Sequence, residues 1–492
     1  MNEAVAIIGL SCRFPGAPDR ESFWNLLDAG RDAISEVPAS RWNIDEFHDP
    51  DMSRPGAMNI RTGGFLDGIE DFDATLFGMS PREAASTDPQ HRLLLEAAWE
   101  CLEDAGLPPR GLAGSRTGVF VGISSTDYSR VAFAEPERVN AYYAIGNTSC
   151  IAANRISSFF GFEGASVAID TGCSSSISAI HLACRSLLSG ESSMALAGGV
   201  NAVLSPLPTI GAAHAWLMSG SGRCASFDRD ADGYVRSEGC GLVALKTLAR
   251  ALADGDRILG VIRGSAVNHD GNSSGLTAPN PAAQAAVIRE ALRQAGVEAD
   301  AVTYVEGHGV GTPAADRAEI EALSTIFTGS DGGKECVLGS VKANIGHLET
   351  AAGAAALAKV LLCFREESIP AQLHFHSLPE DVDISGTRLR IPVANTPWPR
   401  LPGRPRIAGI NSFGVGGSNA HLVIEEPPVQ GVSEDSAAGE AQALAISAAH
   451  PAALRELIDR YIGRLEDCPA QLFAALCRSA NSGRSHLKHR VV

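Results

Sequence analysis

Four short stretches of this sequence carry residues able to do chemistry. The first is Ala168-Ile169-Asp170-Thr171-Gly172-Cys173-Ser174-Ser175-Ser176, where a strand enters a turn of small residues and an apolar helix begins at or just after Cys173. A thiol at a helix start faces unpaired N–H groups and the positive end of the helix dipole, which favours thiolate. Small neighbours leave room for an acyl thioester. A lone cysteine is more often a buried structural residue, but so polar a turn before so apolar a helix weighs against that. The second stretch, Glu306-Gly307-His308-Gly309-Val310-Gly311-Thr312-Pro313, follows the strand Thr303-Tyr304-Val305. The third, Gly339-Ser340-Val341-Lys342-Ala343-Asn344-Ile345-Gly346-His347-Leu348-Glu349, precedes a small-residue run. Either histidine taken alone is more often a satisfied core or turn residue. The fourth, Asn411-Ser412-Phe413-Gly414-Val415-Gly416-Gly417-Ser418-Asn419-Ala420-His421, is a glycine-rich loop before a strand. It lacks the lysine and the following helix of a nucleotide phosphate loop.

The elements that must position these residues alternate between strand and helix patterns. Val5 to Ile8, Thr117 to Gly122, Ser166 to Asp170, Leu242 to Leu245, Ile258 to Ile262, Val302 to Glu306 and His421 to Ile424 are strand-like, and Ser166 to Asp170 is expected to be buried. Gln90 to Ala105 carries Leu93, Leu94, Ala97, Ala98, Cys101 and Leu102 at helical spacing and stops at Gly106. Ser175 to Leu188 and Ala283 to Gln294 are further helices, the latter closed by Gly296. Together they predict an α/β fold with buried sheets between helices. No fixed-period repeat is visible. Near Glu426 the composition shifts: Pro427-Pro428 ends a strand, and a Gly/Ser/Glu/Ala stretch reads as a linker over 427–441. Beyond it, Ala443 to Ser447 is strand-like and Pro451 to Leu465 an amphipathic helix, which predicts a small α/β adapter over 442–492. The chain ends on a strand-like Arg490-Val491-Val492, as an excised piece of a longer polypeptide would.

Bulk composition narrows the class. With 45% hydrophobic and 20% charged residues, the 492-residue chain is globular. A net charge of −17 without any Lys/Arg-rich run excludes a nucleic-acid footprint. Eleven cysteines without CxxC pairs point to reduced thiols in the cytoplasm. There is no signal-peptide pattern and no apolar run long enough to span a bilayer.

The four motifs in this order resemble the ketosynthase (β-ketoacyl synthase) domains of type I polyketide synthases, over nearly all of residues 1–426. Gly9 to Gly16, Ser80-Pro81-Arg82-Glu83, Asp88-Pro89-Gln90, Asn154 to Ser157, Asp232-Gly233-Tyr234 and Gly275 to Asn280 agree with the family. The part after the linker, including Gly483 to His486, is similar to the ketosynthase-to-acyltransferase adapter. The resemblance implies a thiolase-like duplicated five-layer αβαβα fold, with halves 1–255 and 256–426, usually homodimeric. It implies decarboxylative Claisen condensation of an acyl chain, held on Cys173, with a malonyl-type extender on an acyl carrier protein. His308 and His347 would support decarboxylation and stabilise the enolate oxygen. Lys342 would pair with Glu349 and hold the His347 loop. The amides of Cys173 and Phe413 would form the oxyanion hole, and the Phe413 ring would gate the acyl channel. Thr312, Gly414 and Gly416 would contact the pantetheine arm. Expected partners are the carrier protein, an acyltransferase domain (fused or separate) and a second copy. Substrates would arrive on phosphopantetheine, with no cofactor bound by the domain and no metal, since Cys173, His308 and His347 fall one ligand short of a zinc site.

Three positions depart from the family pattern: Gly172 and Gly307 stand where Ala is usual, and Val310 where a threonine is usual. The last removes an expected pantetheine contact. Within the enzyme class, Cys at 173 argues against a starter decarboxylase and His308 against a transfer-only variant. The absence of a cysteine from Asn411 to Asn419 argues against a degradative thiolase. Asn344 leaves a Cys-His-Asn synthase open, although the surrounding motif fits His347 better. A silent scaffold is disfavoured by intact Cys173, His308, Lys342 and His347.

Overall fold

The computed structural model describes residues 4–329, 334–429, 442–466 and 468–492. Strand β1 (Val5–Arg13) extends well past the apolar run that marks it in the sequence. β2 (Thr117–Gly122), β3 (Ser166–Ile169), β4 (Met194–Asn201) and β5 (Gly239–Thr247) join it in the order β3-β2-β4-β5-β1. The first three of these are mutually parallel and the last two add antiparallel. The chain then repeats the plan with β6 (Gly260–His269), β7 (Val302–Glu306), β8 (Cys336–Gly339), the two-residue β9 (Leu389–Arg390), β10 (Ile407–Phe413) and β11 (Ser418–Glu425). The order β8-β7-β10-β11-β6 again has three parallel and two antiparallel members, and β9 extends its edge. This is the duplication that no sequence period reveals. The two units fuse along three residue pairs, Val5–Ile7 against Gly260–Ile262, into one eleven-stranded sheet.

Helices fill three layers. α1 (Pro89–Asp104) and α2 (Ser149–Phe160) cover the outer face of the first unit. α3 (Ser175–Leu188) lies in the middle. α4 (Pro281–Ala295) and α5 (Pro313–Ser324) cover the outer face of the second unit. α6 (Ala352–Glu366) joins α3 in the middle. The strands are apolar almost continuously because both faces are covered. In β1, Val5 and Ile7 pack into the middle layer while Ala6 and Ile8 pack against the outer helices, as the two-residue period of a strand requires. The result is the five-layer αβαβα arrangement.

Most boundaries expected from sequence shift by a residue or two. One expectation fails: Ser166–Ile169 is not a buried strand but the edge of the sheet, with Val167 exposed. A period-two pattern cannot distinguish an edge strand from a central one. Of the predicted linker, 430–441 lies outside the described residues. Beyond it, β12 (Ile446–Ala448), α7 (Pro451–Glu466), α8 (Ala470–Ser482) and β13 (His489–Val491) form the small α/β unit, with β12 and β13 antiparallel. It is fastened to the body by the Arg484–Glu103 ion pair and by Arg110 N–H donating to Ser485 Oγ at 3.0 Å.

The middle layer depends on one close approach. Gly353, at the start of α6, sits so near Ile177 of α3 that an added Cβ would overlap its side chain. Gly353→Val should lower stability by about 1–3 kcal/mol through overpacking, read as a lower urea midpoint at unchanged slope.

Candidate active site

The turn after β3 presents the thiol. Gly172 takes φ +62°, a conformation glycine adopts without penalty. Ser175 Oγ donates to the Gly172 carbonyl at 2.6 Å and accepts the Thr171 amide at 2.9 Å. The end of β10, from the other half, closes on this turn. Ser412 Oγ donates to the Cys173 carbonyl at 2.9 Å, and Gly414 leaves no space for a Cβ beside Thr171.

His347 meets the sulfur: its Nε2 lies 3.0 Å from Cys173 Sγ. The Glu349 amide donates to His347 Nδ1 at 3.2 Å. A nitrogen that accepts a hydrogen bond holds a lone pair, so the neutral ring carries its hydrogen on Nε2 and donates it towards the sulfur. Burial, reinforced by the Lys342 and Arg236 charges, holds His347 well below the usual histidine range and keeps it neutral at physiological pH. The His308 ring stands edge-on to His347, centroids 5.6 Å apart, and 5.8 Å from the Phe413 ring. Burial, with Lys342 and His347 nearby, likewise keeps His308 neutral. Its Nδ1 is buried without a partner among the described residues, as a group awaiting substrate or water would be.

Cys173 corrects one expectation. Burial pushes its thiol up to about 11; the Val415 amide pulls it down, Glu349 raises it, and Lys342 lowers it. α3 begins two residues after the cysteine, at Ser175. The resting sulfur is therefore a neutral thiol.

The expected Lys342–Glu349 pair is also corrected. Glu349 is bound through both oxygens to Arg236, at 2.6 and 2.9 Å. Lys342 is buried with its charge supported by Glu306 and Glu319, while desolvation holds it below the usual lysine range. Thr312 caps α5 without using its hydroxyl for the helix amides, which leaves that hydroxyl available. Gly416, at φ +98°, offers its carbonyl to His269 Nε2 at 2.9 Å.

Several residues of the site were not singled out from sequence. Glu319 accepts the His308 and Gly309 amides, both at 2.7 Å, and Asn411 Nδ2 at 2.8 Å. Asp316 accepts the Val310 and Gly311 amides at 3.1 and 3.2 Å. Two acids one turn apart, on the helix directly after the His308 loop, were the available signal. Tyr234 packs edge-on against His347 at 5.2 Å. Val415 lies within the fourth motif, but its amide carried no signal of its own, and nothing in the sequence connects Arg236 to the site.

Comparison with known proteins agrees with this geometry. The description "Beta-ketoacyl synthase, N-terminal domain" matches residues 2–251, and its C-terminal counterpart matches 259–376. The chain belongs to the β-ketoacyl synthase family. A ketoacyl-synthetase C-terminal extension matches residues 379–492 of this ketosynthase. One phenolphthiocerol/phthiocerol polyketide synthase from Mycobacterium tuberculosis is 50% identical over 440 residues, 88% of this chain and 28% of the relative. Another phenolphthiocerol/phthiocerol polyketide synthase, from Mycobacterium bovis, is 50% identical over 429 residues, 87% of this chain and 23% of the relative. The ketosynthase thus spans about a quarter of the length of these curated relatives. Among solved structures, the oxazolomycin ketosynthase domain of Streptomyces albus JA3453 superposes with a TM-score of 0.92 at 41% identity, covering 99% of this chain and 86% of that one. The ketosynthase from module 6 of the bacillaene synthase of Bacillus subtilis 168 gives 0.89 at 36% identity, with 99% and 81% covered.

A thiol with a pKa near 11 fixes the pH dependence of its alkylation. The thiolate fraction, and with it the rate of Cys173 carbamidomethylation, should rise about tenfold per unit from pH 7 to 10. Peptide mass spectrometry separates Cys173 from the exposed Cys150. A plateau below pH 8 would show that the donors outweigh burial.

Proposed function

We propose that this ketosynthase elongates acyl chains by decarboxylative Claisen condensation, with Cys173, His308 and His347 as its catalytic residues. The observation that carries the proposal is the 3.0 Å contact between Cys173 Sγ and His347 Nε2, with the His308 ring beside it. In the first step Cys173 sulfur attacks the thioester carbonyl of an acyl chain on a carrier protein's phosphopantetheine. A new C–S bond forms, the old one breaks, and the thiol proton leaves with the pantetheine sulfur. In the second step a carrier-bound malonyl-type thioester loses CO2. The electron pair left behind moves towards the thioester oxygen, where the two buried histidines offer N–H groups. The enolate carbon attacks the Cys173 thioester, expelling the thiolate and leaving a β-ketoacyl chain on the carrier. The amides of Cys173 and Phe413 would hold the carbonyl oxygen under attack, and the Phe413 ring beside His308 would bound the acyl channel. The free Thr312 hydroxyl, with Gly414 and Gly416, suits the pantetheine arm.

Partners follow from the same reading: a carrier protein, an acyltransferase domain and a second copy of the chain. The exposed edge of β3 supports the last, because an unpaired strand edge is a template for pairing. The repeated strand plan supports a division into halves 1–255 and 256–426, followed by linker and adapter. No helix among the described residues is long and apolar enough to cross a membrane. Eleven unpaired cysteines support a reducing, cytoplasmic setting.

Incubation with an acyl thioester should add the acyl mass to the protein, and Cys173→Ala should abolish the gain. His308→Ala and His347→Ala should each slow condensation about a hundredfold or more, the usual loss for a removed oxyanion donor. An intact protein that takes up no acyl group would favour a silent scaffold. Val310→Thr should speed acyl transfer from the carrier about fivefold, the equivalent of one ordinary hydrogen bond near 1 kcal/mol; unchanged kinetics would count against a missing pantetheine contact.

A further inference from the structure

The tautomer of His347 hangs on one backbone N–H, that of Glu349, and Glu349 is a non-glycine residue at φ +49°. L residues avoid this region, and glutamate lacks the short polar side chain that lets Asn or Asp visit it. Something must hold it there. The Glu349 carboxylate is gripped by the Arg236 guanidinium, Nε to one oxygen at 2.6 Å and a terminal nitrogen to the other at 2.9 Å. Such a fork fixes direction as well as distance. Arg236 is itself fixed. It is buried, and its remaining terminal nitrogen donates to Thr209 Oγ1 at 3.0 Å. Its backbone is laced to the residue it serves: the His347 amide donates to the Val235 carbonyl at 2.8 Å, and the Ser237 amide donates to the His347 carbonyl at 2.9 Å. The guanidinium is thus registered against the His347 backbone before it reaches Glu349.

We infer that Arg236 is a positioning residue which, through its fork to Glu349, keeps residue 349 left-handed and thereby keeps the His347 hydrogen on Nε2, facing Cys173. The inference rests on the reading of Cys173 and His347 as the reacting pair. Without the fork, residue 349 relaxes to an ordinary backbone conformation and its amide turns away from Nδ1. The ring can then place its hydrogen on Nδ1, leaving a lone pair towards the sulfur. That ring cannot donate to a thiolate or to an enolate oxygen.

The carboxylate matters here only through the backbone shape it enforces, and this separates the inference from a general stabilising role. Glycine adopts positive φ freely, so Gly at 349 should make the ion pair dispensable. The test uses Arg236→Met, Glu349→Ala and the double variant Arg236→Met/Glu349→Gly, in the full chain labelled with 15N-histidine and with His347 assigned by comparison with His347→Asn. In the unmodified protein His347 should show a bare Nδ1 and a protonated Nε2. Each single variant should show a protonated Nδ1 and slow condensation about a hundredfold, the loss expected for a misplaced catalytic group, with little change in the acyl-thioester KM. The double variant should regain both the original nitrogen signature and most of the rate. Where a single variant does not fold, Arg236→Lys replaces it; it keeps the charge, loses the fork, and should show both tautomers. An unchanged His347 signature in a folded Arg236→Met or Arg236→Lys protein overturns the inference, as does a folded double variant no faster than the singles. Failure of the unmodified protein to take up any acyl group would instead remove the condensation reading, and the nitrogen signature would still decide the role of Arg236.

Discussion

The contact between the Cys173 sulfur and the His347 imidazole depends on the crossing of two helices in the middle of the protein. Cys173 precedes α3 and His347 precedes α6, so each residue lies near the N-terminus of a buried helix from a different half. Only where Gly353 admits Ile177 do the helices come close enough for their leading turns to share a chamber. The five layers serve that approach. The two halves of the sheet, each covered on both faces, hold the middle helices between them, and the β10 loop returns from the second half to seal the cysteine turn.

Electrostatics follow from the depth of this chamber. Desolvation disfavours every charged form, so the thiol and both imidazoles rest neutral while Lys342 is sustained chiefly by Glu306 and Glu319. Neutral imidazoles with oriented N–H groups suit a reaction in which negative charge appears briefly on oxygen and sulfur and then leaves. The acids that shape it hold backbone amides and neighbouring side chains. Glu319 and Asp316 collect the amides of the His308 loop, and Glu349 collects Arg236.

Much of this was legible in the sequence because the reactive residues sit in small-residue turns next to strongly apolar elements. Cys173, His308 and His347 announce themselves through glycines and serines that have no role in a core. α3, β7 and the helix over Pro89–Asp104 follow from apolar spacing and caps. What the sequence hid were relations between distant residues. Arg236 looks like any arginine on a strand approach until its fork with Glu349 is seen, and that fork takes the carboxylate which the family resemblance had assigned to Lys342. The thiol's acidity was misjudged because helix position is visible in a sequence and depth of burial is not. The edge position of β3 was missed because it is a property of the whole sheet. The duplication left no sequence period and was expected only through the family resemblance, because topology can repeat after side-chain patterns have diverged.

The seam between the two units bears on how the chain is made. Among the described residues β1 pairs only with β5 and β6, and β5 begins at Gly239. At a ribosomal pace of about 5–20 residues per second, this apolar strand emerges roughly 10–50 s before either neighbour exists. For that interval it is a sticky, unpartnered segment on a nascent polypeptide. The first unit cannot close until its last strand has left the exit tunnel, so β1 waits unpaired for the whole of that synthesis.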